Sequence, residues 1–312
     1  MAGRGTTREE RNEVAGAKQV IAITPGDPAG VGPEVVGAAL STVRFPRGVT
    51  FEIVEGGDVA ARPGRPTVQS ARAAFRALEA AVAGCQIGRY AALVTGPVSK
   101  AGLARVGFDF PGQTEFLASR SGLGTDAVTM AMAGERLRVF LLTTHLSLAR
   151  AIRQITPARL GRTLSHAKDF LGRLGIAAPR LAIAALNPHA GEGGLFGNEE
   201  GRVLAPALRA IAGRLGPWVQ RIPILPADTV FMRASQGAFD GVICLYHDQG
   251  LIPFKLLEFD RGVNVTLGLP FPRTSPDHGT AFDIAGTGKA DPGSMVAAIR
   301  LAARLVVKQR DR

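Results

Sequence analysis

The sequence predicts an α/β fold of two lobes, an α/β/α arrangement with a mainly parallel sheet and a cleft between the lobes. From about Gln19 onward, short apolar runs alternate with amphipathic helical patterns, and this order gives parallel strands joined by helical crossovers. Polar and titratable residues directly follow several of these runs, at the strand ends where open α/β sheets bind ligands. The 312 residues, 46% of them hydrophobic, are enough for one large unit or two lobes.

The predicted elements follow in order along the chain. Residues 1–18 are polar, rich in Gly and Arg and without periodicity, which predicts a disordered tail. Short β-rich runs predict strands, and apolar residues at three- and four-residue spacing predict helices. The strands are expected at 20–23, 51–54, 91–94, 128–132, 137–142, 181–186 and 241–246, and the helices from about 33 and at 69–83, 157–174 and 292–307.

Composition limits the class of protein. The formal charge is +11, but the arginines are scattered without aromatic platforms, so we expect small anionic substrates and no nucleic acid. No apolar run approaches a membrane span, and no signal peptide is evident, which predicts a cytoplasmic protein without a membrane partner. The two cysteines, Cys85 and Cys244, are isolated in sequence and favour neither a disulfide framework nor a zinc ribbon.

Three of the five histidines each follow a predicted strand: His145, His189 and His247. Three imidazoles that converge at one sheet edge would bind a divalent metal and leave positions open for substrate. The alternative is that each is a hydrogen-bonded loop residue. His166 lies in an ordinary amphipathic helix and is expected to have no such role.

The segment from Tyr246 to Thr280 is the part of the chain that is richest in side chains able to bind metals and anions. It holds His247 and Asp248, then Lys255, Asn264 and Arg273, and then Asp277-His278-Gly279-Thr280. Burying so many polar groups in a core without function would be costly. We therefore expect an active site here.

Three glycine-containing loops are candidate cofactor sites. The loop 24–34 follows a strand but lacks the third glycine of a dinucleotide fingerprint and contains prolines, and 95–100 lacks the spacing of a P-loop. Thr95 and Lys100 could still line a cleft. The loop 278–292 is different, since its glycines let a flat ligand approach the backbone and Asp283 can accept a hydrogen bond from a ribose hydroxyl.

Nine motifs between Thr24 and Asp291 resemble those of the 4-hydroxythreonine-4-phosphate dehydrogenases of pyridoxal 5'-phosphate biosynthesis. They occur in order over nearly the whole chain. They are PGDPAGVGPE, VTGPVSK, GQTEF, TTHLSL, LNPHAGEGG, PADTVF, YHDQGLIPFK, GVNVTLGLPFPRTSPDHGTA and DIAGTGKAD.

The resemblance implies a fold like that of isocitrate and isopropylmalate dehydrogenases. It also implies a homodimer with the site completed at the interface, a cofactor-side lobe of residues 19–120 plus 262–312, and a lobe of residues 121–261 for metal, substrate and dimerisation. It makes the three strand-end histidines ligands of one divalent ion (Zn, Mg or Co). The implied substrate contacts are Gln113, Thr114, Lys255, Asn264 and Arg273, and the implied NAD or NADP contacts are His278, Gly279, Thr280, Ala281, Asp283 and Ile284.

The implied reaction is oxidation of a phosphorylated hydroxy amino acid by NAD or NADP, followed by decarboxylation. Asp248 or Lys255 is the candidate base or proton relay. Asp277 could orient a ligand, and Asp228 could do so or cap a helix.

Gln113 departs from the family pattern, which has His at this position. Glutamine cannot become cationic, so a phosphorylated aldonate or a dihydrodiol dicarboxylate stays open as the substrate. From the residues alone, the rivals are a metal-dependent hydrolase or lyase and a non-catalytic phosphometabolite-binding protein. The loop 278–286 argues against the hydrolase, and three metal ligands argue against the binding protein.

Overall fold

A computed structural model describes residues 18–310, and the predicted tail of residues 1–18 lies, apart from Lys18, outside this range. Ten strands and ten α-helices are defined within it. The strands are β1 (Gln19–Thr24), β2 (Val49–Ile53), β3 (Ala92–Thr95), β4 (Thr129–Ala133), β5 (Arg138–Leu141), β6 (Leu181–Ala184), β7 (Ile224–Leu225), β8 (Gly241–Cys244), β9 (Val263–Leu267) and β10 (Arg273–Pro276). The helices are α1 (Gly32–Thr42), α2 (Val68–Gln86), α3 (Lys100–Ala104), α4 (Gln113–Arg120), α5 (Leu148–Arg153), α6 (Pro157–Arg173), α7 (Ala205–Leu215), α8 (Ala227–Ser235), α9 (His247–Glu258) and α10 (Gly293–Arg310).

All ten strands form one sheet in the order β2-β1-β3-β10-β9-β4-β5-β8-β6-β7. Neighbours are parallel except in the centre, where β10 with β9, β9 with β4 and β4 with β5 are antiparallel. The two parallel groups, β2-β1-β3-β10 and β5-β8-β6-β7, therefore run in opposite directions. The predicted mainly parallel α/β sheet is confirmed.

The strands of residues 19–120 and 262–312 make up one half of the sheet, and those of 121–261 the other. The halves meet where β9 pairs with β4 over five residue pairs, from Thr129–Leu267 to Ala133–Val263. The division into lobes stays a prediction.

Local sequence signals explain where the main helices begin. Thr67 and Ser70 form a reciprocal capping box at the start of α2, and the Thr156 side chain caps α6. Pro33 occupies the first turn of α1, as expected. The interior of α10 is apolar, with Met295, Ala298, Ile299, Ala302, Leu305 and Val306 buried against the half of the sheet formed by residues 19–120 and 262–312.

The predicted strands and helices are present, with boundaries shifted by one to three residues. Strands β7, β9 and β10 were not predicted. Helix α9 begins at His247 itself, so Asp248 and Lys255 lie on a helix. Asp228 lies in the first turn of α8, whose N-cap is Pro226 without a side-chain cap, so capping by Asp228 was a wrong alternative.

None of the helices within residues 18–310 combines the length and apolar character needed to cross a membrane.

Candidate substrate and metal site

A cleft of about 260 Å³ lies over the centre of the sheet. Side chains alternate along a strand, so register decides which residues face it. Arg273 pairs with Thr266 and Ser275 with Asn264 across β10 and β9, and Thr266 in turn pairs with Met130 on β4. These positions share one face of the sheet, at the junction of its two halves. The predicted substrate residues Gln113, Thr114, Asn264 and Arg273 all line this cleft, together with His145, His278 and Gly279.

Arg273 is the most unusual group in the cleft, because it is 3% exposed and has no carboxylate partner. Its guanidinium donates to Thr95 Oγ1 at 2.6 Å, Gln113 Oε1 at 3.0 Å and Thr266 Oγ1 at 3.1 Å, and its Nε has no partner in the described chain. Burial lowers the pKa of Arg273 to about 10, although Glu115 nearby opposes the shift. A buried cation with only neutral acceptors is a site for an anion.

Other cleft residues also carry polar atoms without partners. Among the described residues, Glu115 Oε2, Asn264 Oδ1 and His278 Nε2 are buried and unpaired, and all three residues line this cleft. Buried polar atoms are nearly always hydrogen-bonded in a complete structure. The cleft therefore has unused donors and acceptors for a polar ligand.

The N-terminus of α4 adds further donors. Gly112, its N-cap, is extended and lacks a side chain, so the first backbone N–H groups of the helix have no side-chain cap. Gln113 and Thr114 are the first two residues of the helix and line the cleft. Helix N-termini of this kind stabilise phosphate and carboxylate groups.

Lys255 does not line the cleft directly. Its Nζ lies 3.1 Å from Asp277 Oδ2, and Asp277 does line the cleft. Burial raises the pKa of Asp277, and the neighbouring Lys255, His278 and His247 side chains oppose the shift. Lys255 and Asp277 thus form an ion pair at the edge of the cleft.

The three predicted metal ligands share a sheet edge but do not meet within one chain. Strands β5, β8 and β6 are adjacent and parallel, so His145, His247 and His189 follow neighbouring carboxyl ends. The rings of His145 and His247 are 5.8 Å apart. Within residues 18–310, however, no three His, Cys, Asp or Glu side chains lie close enough together to hold a metal ion.

Two carboxylates adjoin the histidine pair. Asp248 Oδ1 lies 2.7 Å from Nδ1 of His247, and Glu115 Oε1 lies 3.9 Å from Nδ1 of His145. His145 lowers the pKa of Glu115, with burial opposing. Asp248 is thus placed to fix the tautomer of His247 and leave its Nε2 free to bind a ligand.

His189 lies in a turn of left-handed backbone. Residues 189–193 all have positive φ, including the non-glycine residues His189 (52°), Ala190 (55°) and Glu192 (43°). Left-handed backbone costs about 1–2 kcal/mol for each such residue. Buried Glu200 holds the base of the turn, because it accepts hydrogen bonds from the backbone N–H groups of Leu186 and Asn187. The turn leaves His189 exposed, and its ring contacts Phe196.

The predicted cofactor loop, residues 278–292, starts in the cleft at His278 and Gly279. It then packs on the loop of residues 24–34. Val31 N–H donates to the Thr280 carbonyl oxygen at 2.9 Å. A Cβ added to Gly30 would lie 2.8 Å from the same oxygen, so Gly30 is needed for this close approach. Ala281 has a φ of 41°, and the exposed Asp283 carboxylate is accessible for a hydroxyl. Ile284 N–H donates to the carbonyl oxygen of Ala281, which closes the turn.

Two polar side chains of the cleft were not predicted from the sequence, those of Glu115 and Ser275. Glu115 belongs to the GQTEF motif, so its position beside Thr114 was a usable signal. Ser275 carried no signal, because strand β10 was not predicted. Thr95 and Lys100, weighed as cleft residues, both line it.

The fold and the site define a mixed α/β protein with a polar cleft between the two halves of one sheet, in which the buried Arg273 guanidinium donates only to neutral acceptors. Residues 24–302 match the family described as pyridoxal phosphate biosynthetic protein PdxA. The chain belongs to this family.

Two proteins illustrate the similarity. A 4-hydroxythreonine-4-phosphate dehydrogenase of Geobacter metallireducens is 44% identical, over 92% of this chain and 96% of that protein. The crystal structure of a 4-hydroxythreonine-4-phosphate dehydrogenase from Klebsiella pneumoniae is similar with a TM-score of 0.75 and 36% identity, over 93% of this chain and 100% of that chain.

More distant structures extend the comparison. A terephthalate 1,2-cis-dihydrodiol dehydrogenase from Burkholderia xenovorans has a TM-score of 0.66 and 27% identity, over 92% of this chain and 98% of that chain. Isocitrate dehydrogenase from Methylococcus capsulatus has a TM-score of 0.51 and 15% identity, over 93% of this chain and 88% of that chain. The second likeness concerns the fold alone and confirms the predicted isocitrate dehydrogenase-like class.

Proposed function

We propose that this chain is a metal- and NAD(P)-dependent dehydrogenase that oxidises 4-phosphohydroxy-L-threonine to 2-amino-3-oxo-4-phosphooxybutanoate. The β-keto acid then loses carbon dioxide to give 3-amino-2-oxopropyl phosphate. Family membership supports this assignment. The observation that carries it is the buried Arg273 guanidinium, which has three neutral acceptors and a free Nε in a cleft of a size suited to a small metabolite.

The phosphate of the substrate would bind Arg273. A guanidinium presents a planar fork to phosphate, and the uncapped start of α4 adds backbone donors beside it. Thr114 offers its hydroxyl. Asn264 offers its Nδ2 as a donor, whereas its Oδ1, which has no partner among the described residues, would accept from a hydroxyl or amino group of the substrate. These groups favour a phosphorylated, acyclic substrate.

His145 and His247 fit a divalent metal in donor type, but one chain supplies only this pair. We propose that His189 of a second copy completes the set. Its exposed ring on a rigid left-handed turn supports this. When bound, a Zn, Mg or Co ion acts as a Lewis acid toward the substrate hydroxyl. Asp248 orients His247 for this role.

The chain's own groups would move the proton. As hydride leaves carbon 3 of the substrate for the nicotinamide, the hydroxyl proton must pass to a base. Lys255 is the better placed of the two candidates, because its ion pair with Asp277 connects it to the cleft, whereas Asp248 is engaged with His247 and has a side chain that is 70% exposed. An ion-paired ammonium has no lone pair, so Lys255 would act as a relay: it would give its own proton to Asp277, whose pKa is raised by burial, and take up the hydroxyl proton in its place. We assign Asp277 the role of holding Lys255.

NAD or NADP would be held at its adenosine end by the loop of residues 278–284, which begins with His278 and Gly279 in the cleft. Thr280, Ala281 and Ile284 would shape the backbone at its adenosine end, and Asp283 would accept from a ribose hydroxyl. Residues 19–120 with 262–312 then form the cofactor-side lobe, and residues 121–261 form the metal, substrate and dimer lobe.

A homodimer in the cytoplasm is the proposed state. Exposed apolar side chains lie on the two helices that follow β5 and β8, with Leu148 and Ile152 on α5 and Ile252 and Leu256 on α9. Such a patch marks an interface. Two buried thiols suit a reducing compartment, and burial raises the pKa of the Cys85 thiol to about 12.

The activity is tested by absorbance at 340 nm with purified protein, 4-phosphohydroxy-L-threonine, NAD or NADP, and Zn, Mg or Co, beside a reaction with chelator. We expect reduction of the cofactor that the chelator abolishes. No reduction under any of these conditions would contradict the proposal.

Mixing two inactive variants tests the shared metal site. His189→Ala and His247→Ala should each be inactive. When the two chains are co-expressed, half of a random population is mixed dimers with one intact site each, so activity should return to about a quarter of wild type. If all three histidines act within one chain, the mixture stays inactive.

A related activity is favoured by Gln113, which occupies the position of the family's His. A 4-phosphorylated aldonate such as threonate or erythronate, or a dihydrodiol dicarboxylate, is the second candidate substrate. Turnover of one of these, with none of 4-phosphohydroxy-L-threonine, would establish it.

A further inference from the structure

A second and larger cleft lies apart from the proposed substrate site. It has a volume of about 540 Å³, and none of its lining residues lines the substrate cleft. It is bounded by the turn between β4 and β5, the segment between α9 and β9, and one face of α10. Four arginines line it: Arg138, Arg261, Arg300 and Arg304.

One stripe of α10 forms a wall of this cleft. Gly293, Val296, Ala297, Arg300, Leu301 and Arg304 all line it, and their spacing of three and four residues places them on one face of the helix. Arg300 and Arg304 are four residues apart and exposed. Like charges at this spacing destabilise a helix, and an anion bound between them would reverse that effect.

Arg138, on β5, also lies close to another positive charge. It is partly buried, and burial and the neighbouring Arg304 lower its pKa, with Asp240 and Glu258 opposing. Both carboxylates already have other partners. Asp240 pairs with Arg180, and Glu258 accepts from two backbone N–H groups of the β4–β5 turn.

The arginines of this cleft form no ion pairs with carboxylates of the described residues. Glu135, Asp260 and Asp291 also line the cleft, but Asp291 Oδ1 accepts from the Gly293 N–H at the start of α10. Arg304 uses one nitrogen to donate to the Leu174 carbonyl oxygen. The remaining guanidinium donors have no anionic partner in residues 18–310.

We propose that this cleft binds a phosphorylated small molecule at Arg138, Arg300 and Arg304. Guanidinium groups bind phosphate through paired hydrogen bonds, and the volume is within the range of small-ligand pockets. The exposed carboxylates Glu135 and Asp260 suit hydroxyl or amino groups on the same molecule. The site is separate from the phosphate contact at Arg273.

Arginine-specific labelling of the wild-type holoenzyme tests the site. The protein is treated with phenylglyoxal with and without inorganic phosphate, at constant ionic strength set with sodium chloride, and modified peptides are quantified by mass spectrometry. We expect phosphate to reduce labelling of Arg300 and Arg304 at least about fivefold while leaving Arg209, an exposed arginine on α7, unchanged. Equal labelling with and without phosphate would overturn the proposal.

Two further labelling experiments distinguish a phosphate site from nonspecific protection and from a cofactor site. In Arg304→Gln, labelling of Arg300 should no longer respond to phosphate, while kcat/KM measured without phosphate stays at the wild-type value. Protection that persists in this variant would count against the site. NAD and NADP alone should not protect Arg300 or Arg304, and protection by either would assign the cleft to the cofactor and overturn the proposal.

Discussion

Arg273 is a cation that the fold buries among neutral groups. Its three hydrogen-bond acceptors are the side chains of Thr95, Gln113 and Thr266. Such an arrangement costs stability in the free protein. The same arrangement favours binding of an anion, because the charge has no ion-pair partner among the described residues.

Replacing Arg273 with Met separates these two effects. We expect KM for the phosphorylated substrate to rise at least about 100-fold, since two charged hydrogen bonds to phosphate are lost. The midpoint of thermal unfolding should stay the same or rise, because a buried unpaired charge is removed. Steady-state kinetics and calorimetry measure the two. Arg209→Met makes the same change on the exposed surface of α7 and should alter neither, and an unchanged KM for Arg273→Met would contradict the phosphate assignment.

Glu115 predicts a pH dependence of stability. Its pKa is lowered by His145, so the folded protein binds a proton at this site less readily than the unfolded chain does. The resulting stabilisation is present above the ordinary value of 4.5 and is lost as the pH falls through the lowered folded pKa. Urea unfolding between pH 3 and 6 should therefore show a smaller loss of stability on acidification for Glu115→Gln than for wild type. Parallel curves for the two proteins would exclude this contribution.

A contact residue could be predicted from the sequence when it belongs to a recognised motif. A contact between two residues that are far apart in the sequence could not be predicted. Arg273 and Asn264 were found from their motif. The bond from Arg273 to Thr95 joins residues separated by 178 positions, and no local pattern reports such a pairing. The roles of Glu115 and Asp277 depend on neighbours that only the fold brings together.

At the scale of elements, most strands were predictable because their residues are continuously apolar. Strands β9 and β10 were missed for a physical reason. Their cleft-facing positions are Asn264, Thr266, Arg273 and Ser275, and these polar residues interrupt the apolar pattern that identifies a buried strand. The polar residues that serve the cleft therefore make these two strands difficult to recognise in the sequence.

The left-handed turn at His189 also could not be predicted from the sequence. Gly191 and Gly193 suit positive φ, but His189, Ala190 and Glu192 do not. The buried carboxylate of Glu200 and its hydrogen bonds at the base of the turn compensate for the strain. We infer that the strain serves to hold the His189 ring in a fixed direction.

Ala190→Gly tests this strain. Glycine adopts left-handed backbone freely, so the free energy of unfolding should rise by about 1 kcal/mol. The matched change Ala210→Gly, within α7, should lower it by about 1 kcal/mol. Denaturant titration of both variants gives the two signs. Destabilisation by Ala190→Gly equal to that of Ala210→Gly would show that the turn is not strained in solution.

At the scale of the whole molecule, the exposed apolar residues of α9 predict how copies associate. Ile252, Leu256 and Phe259 recur at helical spacing and are 68%, 84% and 71% exposed. An isolated chain rarely leaves such a stripe in water. Most of the stripe lies on α9, which begins with His247, so association through it would bring a second copy close to the proposed metal ligands.

Leu256→Asp should convert the dimer to a monomer and abolish metal binding and activity together. A charge in the centre of an apolar interface is left unpaired and desolvated. Sedimentation velocity measures the state of assembly, and metal analysis measures occupancy. Ile87→Asp introduces the same charge at the C-cap of α2, at a residue that is 80% exposed, and this variant should remain dimeric and active. A dimeric, active Leu256→Asp protein would rule out this interface.

The continuity of the sheet restricts how the molecule opens. Strands β9 and β4 are paired over five residue pairs across the junction of the two halves. Rotation of one half as a rigid body would break this ladder. Opening and closing of the cleft must therefore occur as a change in twist spread over neighbouring strands, and we expect metabolites to enter and leave through motions of small amplitude.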